Sequence, residues 1–133
     1  MSFLGKTYTF VSHENFDGFL KAVGVPEDKI PIFLKSKPSQ RLEKNGDSYT
    51  YYTNSESGPK ETTFKSGVEF DDTIGVDNTP IKSKYVVEGN KVTQTIVTDK
   101  GTASFVREYN GDDLNVTITS SLWDGVAKRV YKA

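Results

Sequence analysis

Cysteine is absent from this chain. That excludes a disulfide framework, a thiolate nucleophile and any cysteine-ligated metal site, and it makes the cytosol the natural compartment for a domain without covalent staples. Histidine occurs once, as His13. No second histidine can join it at a metal, and its neighbours Ser12 and Glu14 are adjacent in sequence only, so His13 is read as a surface residue and no metal or cofactor is expected. Long apolar runs are lacking too, and residues Met1 to Lys6 carry neither an apolar segment nor a small-residue cleavage site, so neither a membrane span nor a secretory leader is expected. Charge of one sign is also missing. Seventeen basic residues balance eighteen acidic ones, leaving no field that would hold a polyanion, which removes nucleic acid from the expected partners. The acidic group Glu69, Asp71 and Asp72 lacks the spacing of a calcium loop and reads as solvated strand-end charge. No phosphate-cradling glycine loop, nucleophile elbow or zinc motif is present. Without a secretory route, the Asn115-Val116-Thr117 triplet is a strand segment rather than a glycan acceptor.

With 133 residues the chain is one domain, 1–133, and its apolar content of 35% is low for a folded chain of that length. A polar-lined cavity would account for the shortfall. From Lys44 onward turn signals recur at Asn45-Gly46, Gly58-Pro59, Asp77-Asn78, Gly89-Asn90, Lys100-Gly101, Asn110-Gly111 and Asp124-Gly125. The runs between them are rich in Thr, Val, Ile, Tyr and Phe, which gives a meander of antiparallel hairpins. Alternation is clearest where Leu114, Val116 and Ile118 fall on one side of a strand and Asn115, Thr117 and Thr119 on the other. One region differs. Phe16, Phe19, Leu20 and Val23 recur at helical spacing behind Asn15, a residue type suited to the N-cap, and Gly24 is placed to end that helix. Pro26-Glu27-Asp28 suggests a second helix, but Pro31 would break its interior, so this helix is kinked or begins later than its acids imply. The helical lid is thus placed at about 15–36. The class is all-β, and closure into a barrel would remove the unpaired edges that so many strands would otherwise expose. An open sheet with helices on one face is the alternative.

Three residues could carry chemistry. Arg129 and Tyr131 stand two apart in a strand and leave the same face, and Arg107 lies one strand pair earlier, sharing its face with Phe105 and Tyr109. Spacing leaves open whether that face looks into the barrel or into water. If inward, the guanidiniums and the phenol converge on one buried spot, and burying such charge is unfavourable unless an anion answers it. A ligand carboxylate with a greasy tail would do so, the tail supplying affinity at about 0.8 kcal/mol per buried methylene and the head group supplying selection for an acid. That makes the chain a carrier rather than a catalyst. A small barrel isomerase using Tyr131 as acid is the distant alternative. Trp123, ahead of Asp124-Gly125 in the expected last hairpin, is assigned to packing between strand ends.

Several segments, taken together, resemble the intracellular lipid-binding protein family, most of all its insect midgut fatty acid-binding branch: Gly5-Lys6-Thr7-Tyr8-Thr9-Phe10, Asn15-Phe16-Asp17-Gly18-Phe19-Leu20, Lys37-Pro38-Ser39, Phe64 to Asp71, and Asp124-Gly125-Val126-Ala127-Lys128-Arg129-Val130-Tyr131. The resemblance spans nearly the whole chain. It implies a ten-stranded antiparallel clamshell β-barrel closed by a helix-turn-helix lid, holding one or two long-chain fatty acids, with retinoids or other hydrophobic acids as the alternative cargo. It further implies that Arg107 is the first buried arginine and that Arg129 with Tyr131 is an Arg-x-Tyr carboxylate clamp, with Gln40 adding an amide hydrogen bond. Phe16, Phe19, Leu20 and Pro38 would line the portal or upper cavity, and Val116 and Ile118 its wall. A cytoplasmic monomer is expected, with transient membrane contact through the lid. Pro31, and the Trp123 hairpin ahead of Arg129, depart from the family pattern.

Overall fold

A computed structural model describes residues 3–55, 58–74 and 79–133 of the chain. Ten strands form one antiparallel sheet: β1 (Tyr8–Glu14), β2 (Ser39–Asn45), β3 (Ser48–Ser55), β4 (Gly58–Phe64), β5 (Glu69–Ile74), β6 (Thr79–Glu88), β7 (Lys91–Val97), β8 (Thr102–Asn110), β9 (Asp113–Ser120) and β10 (Trp123–Lys132). Between β1 and β2 lie two short helices, α1 (Phe16–Ala22) and α2 (Ile30–Lys35). The strand order is β4-β3-β2-β1-β10-β9-β8-β7-β6-β5, so β1 and β10 pair in the middle and the sheet curls into a nearly closed barrel. Among the described residues its two ends, β4 and β5, form no ladder with each other. The hairpin at Gly89-Asn90 turns where the sequence places it. The turn signalled by Asp77-Asn78 lies outside the described residues.

The turn expected at Asp124-Gly125 is a correction. The chain reverses at Ser121-Leu122, and Asp124 and Gly125 lie inside β10, where the β9–β10 register shifts between Trp123 and Ala127. Such a bulge adds unpaired residues and bends the strand, and a glycine serves that bend as readily as it serves a turn. A second shift, in β1 between Phe10 and Ser12, leaves Val11 exposed while Phe10 pairs with Tyr131 and His13 with Arg129.

Helix α1 closes as its sequence indicates. Gly24 adopts a positive φ of 91°, its amide donates to the Lys21 carbonyl and that of Val25 to the Leu20 carbonyl, which satisfies the last carbonyls of the helix. At its start Asn15 occupies the N-cap position, but its side chain caps nothing; it sits at φ 58° and its Nδ2 donates to the Val126 carbonyl of β10 at 3.2 Å. Asn15 therefore fastens the helix to the barrel instead of closing its own end. Helix α2 begins at Ile30, so Pro31 falls in its first turn, where a missing amide hydrogen costs nothing.

Helix α1 is docked on β10 by its small residue as well as its apolar ones. A Cβ placed on Gly18 would lie 3.1 Å from the Trp123 ring and one on Gly125 only 2.4 Å from it, so the indole fills the space that two glycines leave. Phe19 packs at 6.2 Å from the same ring. At the other end of the barrel Phe3 stacks on Tyr109 at 4.1 Å, with Tyr8 edge-on at 5.2 Å, closing the interior below Leu114 and Leu42. Leu114, Val116 and Ile118 are all buried, as the alternation in β9 requires.

Candidate functional site

The interior changes character along two neighbouring strands. β7 turns Ile96 and Gln94 inward and β8 turns Phe105 and Arg107 inward, each pair one pleat repeat, about 6.6 Å, apart. Ile96 and Phe105, with Phe19, Leu20 and Phe33 of the helices, line an apolar pocket of about 250 Å³ under the lid. Gln94 and Arg107, with Tyr51 and Tyr85, line a polar chamber of about 410 Å³. An apolar space and a chamber with polar groups thus lie one pleat repeat apart on the same two strands.

Arg107 is the centre of the chamber. Only 8% exposed, its guanidinium donates from Nη2 to Gln94 Oε1 at 2.9 Å, and Gln94 passes a hydrogen bond on from Nε2 to the hydroxyl of the fully buried Ser83 at 3.1 Å. The Tyr51 ring stands 5.1 Å from the guanidinium carbon, and the Tyr51 hydroxyl donates to Gln40 Oε1. Nε and Nη1 of Arg107 are buried with no hydrogen-bond partner. No protein group takes up these two donor nitrogens of a buried cation, which leaves them directed at whatever occupies the chamber, an anion above all.

Burial by itself pulls the Arg107 pKa down, but Tyr51, Tyr85, Tyr109 and Tyr131 push it up, and the net direction is above the ordinary arginine value. The phenols are not anions at neutral pH. Burial raises the pKa of Tyr51 and Tyr85, and takes that of Tyr109 up to about 12. A permanent cation is thus ringed by neutral hydroxyls and amides with no carboxylate among its hydrogen-bond partners.

Arg129 shares a row with Arg107, since both pair with Val116, one from each side, which puts their Cα atoms about 10 Å apart at ordinary strand spacing. The surroundings of the two guanidiniums differ. The Arg129 guanidinium lies 4.4 Å from the Phe16 ring, 4.9 Å from the Phe10 ring and 5.7 Å from the Tyr131 ring, and its Nε is buried without a hydrogen-bond partner. Tyr131 is buried beside Arg129 and is one of the phenols that bear on Arg107. Arg107 therefore meets amides and hydroxyls, whereas Arg129 meets aromatic faces.

The remaining sequence candidates are spread through the interior. Phe19 and Leu20 line the apolar pocket, while Phe16 is turned to Arg129. Pro38 is buried at the entry to β2 and its carbonyl accepts from the Phe10 amide at 2.9 Å. Val116 and Ile118 face inward from β9, and Gln40 is buried against Tyr51. His13 is exposed, its ring 5.9 Å from Phe16. Asp71 pairs with Lys82 at 3.0 Å and Asp72 with Lys60 at 2.8 Å.

Gln94 and Tyr51 were not singled out in the sequence. Gln94 carried a signal, being one polar side chain between Val92 and Ile96 on an otherwise apolar strand face. Tyr51 carried none, because Tyr49, Tyr51 and Tyr52 put aromatics on both faces of β3.

Comparison with known proteins agrees with this geometry. The family described as "Lipocalin / cytosolic fatty-acid binding protein family" matches residues 4–132. The chain is 56% identical to fatty acid-binding protein 2 of Manduca sexta over 133 residues, covering 100% of both chains. It superposes with a TM-score of 0.96 on the crystal structure of the fatty-acid-binding protein isolated from Manduca sexta, at 56% identity, covering 99% of this chain and 100% of that one. A Schistosoma mansoni fatty acid binding protein in complex with arachidonic acid matches with a TM-score of 0.89 and 34% identity, over 98% of this chain and 94% of that one.

Proposed function

From its place in the lipocalin / cytosolic fatty-acid binding protein family, to which this chain belongs, we propose that the protein is a non-enzymatic intracellular carrier of long-chain fatty acids. The observation that carries this reading is Arg107, a buried guanidinium with two unanswered donors, one pleat repeat from an apolar pocket. The acyl chain occupies the apolar side and supplies affinity; the carboxylate takes up Nε and Nη1 and supplies selection. Gln94 holds the guanidinium in place, Tyr51 and Gln40 bound the head-group space, and Arg129 with Tyr131 adds a second cationic flank. No step of chemistry on the ligand is required.

The protein works as a cytoplasmic monomer in this reading, consistent with a cysteine-free chain in which no described helix is long and apolar enough to cross a membrane. Delivery involves passing contact of the lid with membranes, where α2 presents the exposed Ile32 next to the basic residues Lys35 and Lys37. Transfer to vesicles that does not change with anionic lipid content would count against that contact.

Native mass spectrometry of the purified protein tests the carrier reading. Adducts with the masses of long-chain fatty acids are expected, restored by oleate after delipidation. A delipidated protein that takes up no oleate would overturn it.

A further inference from the structure

The barrel is not closed all round, and the opening faces the charged end of the interior. β4 and β5 are the two ends of the strand order, with no ladder between them among the described residues, while every other neighbouring pair is hydrogen-bonded. Among the described residues, side chains rather than a ladder span the seam: Lys60 of β4 donates from Nζ to the Thr73 carbonyl of β5 at 2.7 Å and pairs with Asp72 at 2.8 Å, and Phe64 at the end of β4 stacks on Tyr85 of β6 at 4.3 Å. The polar chamber is built from both sides of this gap. Thr53, Thr62, Lys60 and Asp72 line it at the seam, and Gln94 and Arg107 at its inner wall. A volume of about 410 Å³ is far more than a two-oxygen head group fills, and its wall mixes hydroxyl, amide and charged groups of Tyr51, Thr53, Gln94, Arg107 and Lys60 with apolar surface.

We infer that the seam is a head-group vestibule, so that the protein also takes acyl acids whose polar head extends beyond a carboxylate, in particular fatty acids amide-linked to a small amino acid. This rests on the carrier reading above and adds a ligand class to it. With the acyl chain under the lid, an amide would lie among Tyr51, Gln94 and Thr53, which offer both donors and acceptors, and the terminal carboxylate would reach toward Arg107 or Lys60. A barrel sealed by a continuous ladder would leave such an amide without room or partners, and an unpaired buried amide is strongly disfavoured. Lys60 is placed to act as a latch: its half-exposed ammonium is held across the seam by one carboxylate and one carbonyl, and would exchange them for a longer head group's terminal carboxylate.

The test uses the absence of native cysteine. Lys60→Cys with Thr73→Cys places the only two thiols in the molecule on either side of the seam, and a short bis-maleimide bridges them. Palmitate and N-palmitoylglycine are then titrated into the wild type, the unbridged double variant and the bridged one. The wild type should bind the conjugate within about tenfold of palmitate, and bridging should weaken the conjugate by about 30-fold or more while leaving palmitate within about threefold, the discrimination expected when buried polar groups lose their partners. Retained palmitate binding shows that the bridged protein is folded. Rejection of the conjugate by a wild type that holds palmitate, or equal conjugate binding with the seam bridged, overturns the vestibule and leaves the carrier reading intact. If the wild type holds neither ligand, both readings fall.

Discussion

Gln94 accepts a hydrogen bond from one terminal nitrogen of Arg107, yet the other two guanidinium nitrogens, buried in the same chamber, have none. The amide fixes the direction of the cation without neutralising it. Gln94 is itself held from behind by Ser83, so the guanidinium is presented in one orientation before any ligand arrives. Preorganisation of this kind lowers the entropy lost on binding and costs stability in the empty protein.

The first prediction follows from that cost. Arg107→Met removes the unanswered charge and keeps an extended apolar chain, so the delipidated variant should be more stable than the wild type by about 1–3 kcal/mol in urea unfolding. A variant less stable than the wild type would mean that the guanidinium is paid for within the empty barrel.

A second prediction separates the two arginines. Arg129 is stacked between Phe10 and Phe16, so it ties α1 to β10 as well as offering charge to a ligand. A double-mutant cycle of Arg129→Ala with Phe16→Ala should give a coupling energy of about 0.5–2 kcal/mol, within the range of partly desolvated cation–π pairs. Loss of oleate affinity should be smaller for Arg129→Ala than for Arg107→Ala. Strict additivity, or the reverse order of affinities, contradicts this division.

The third concerns the glycine beneath the indole. Gly125→Ala puts a methyl into the Trp123 ring and should cost about 1–3 kcal/mol, the usual range for overpacking. Trp123→Leu in the same chain should recover part of that loss. Equal cost of Gly125→Ala with and without the indole would show that the strand bend, not the ring, needs the glycine.

Alkaline pH supplies a fourth. Burial raises the Tyr109 phenol from its ordinary value near 10 to about 12, so below pH 10 both folded and unfolded chains hold the proton. Between 10 and 12 the unfolded chain releases it first, and stability falls as pH rises through that window. Tyr109→Phe should flatten the fall in urea midpoint over this range, and tyrosinate absorbance should show one phenol fewer among those that ionise late. An unchanged slope in the variant would assign the loss to other groups.

How far the sequence reached can be judged residue by residue. The strands were legible because Gly89-Asn90 and Asn110-Gly111 break the runs where the chain must turn, and because Leu114, Val116 and Ile118 alternate against polar neighbours. Asp124-Gly125 misled because glycine also serves where a ring closes on the backbone, as the Trp123 indole does at Gly125, and only the β9–β10 register shows that the chain does not turn there. Asn15 reached its N-cap position, but a carbonyl on β10, far away in the chain, took its side chain. Arg107 and Arg129 were found as candidates from their strand faces; that Phe10 and Phe16 would surround the second was invisible, since it depends on the shift in β1 and on where α1 docks. The open seam could not be read at all, because it is a ladder that two well-formed strands fail to make.

Titration of delipidated protein with oleate and with methyl oleate, in the wild type and in Arg107→Gln, tests the central claim most directly. The wild type should prefer the acid by about 10- to 150-fold, the equivalent of one charge-assisted hydrogen bond of roughly 1.5–3 kcal/mol, and the variant should bind acid and ester nearly alike. Equal affinity of the wild type for the two ligands, or an acid preference that survives Arg107→Gln, would contradict it.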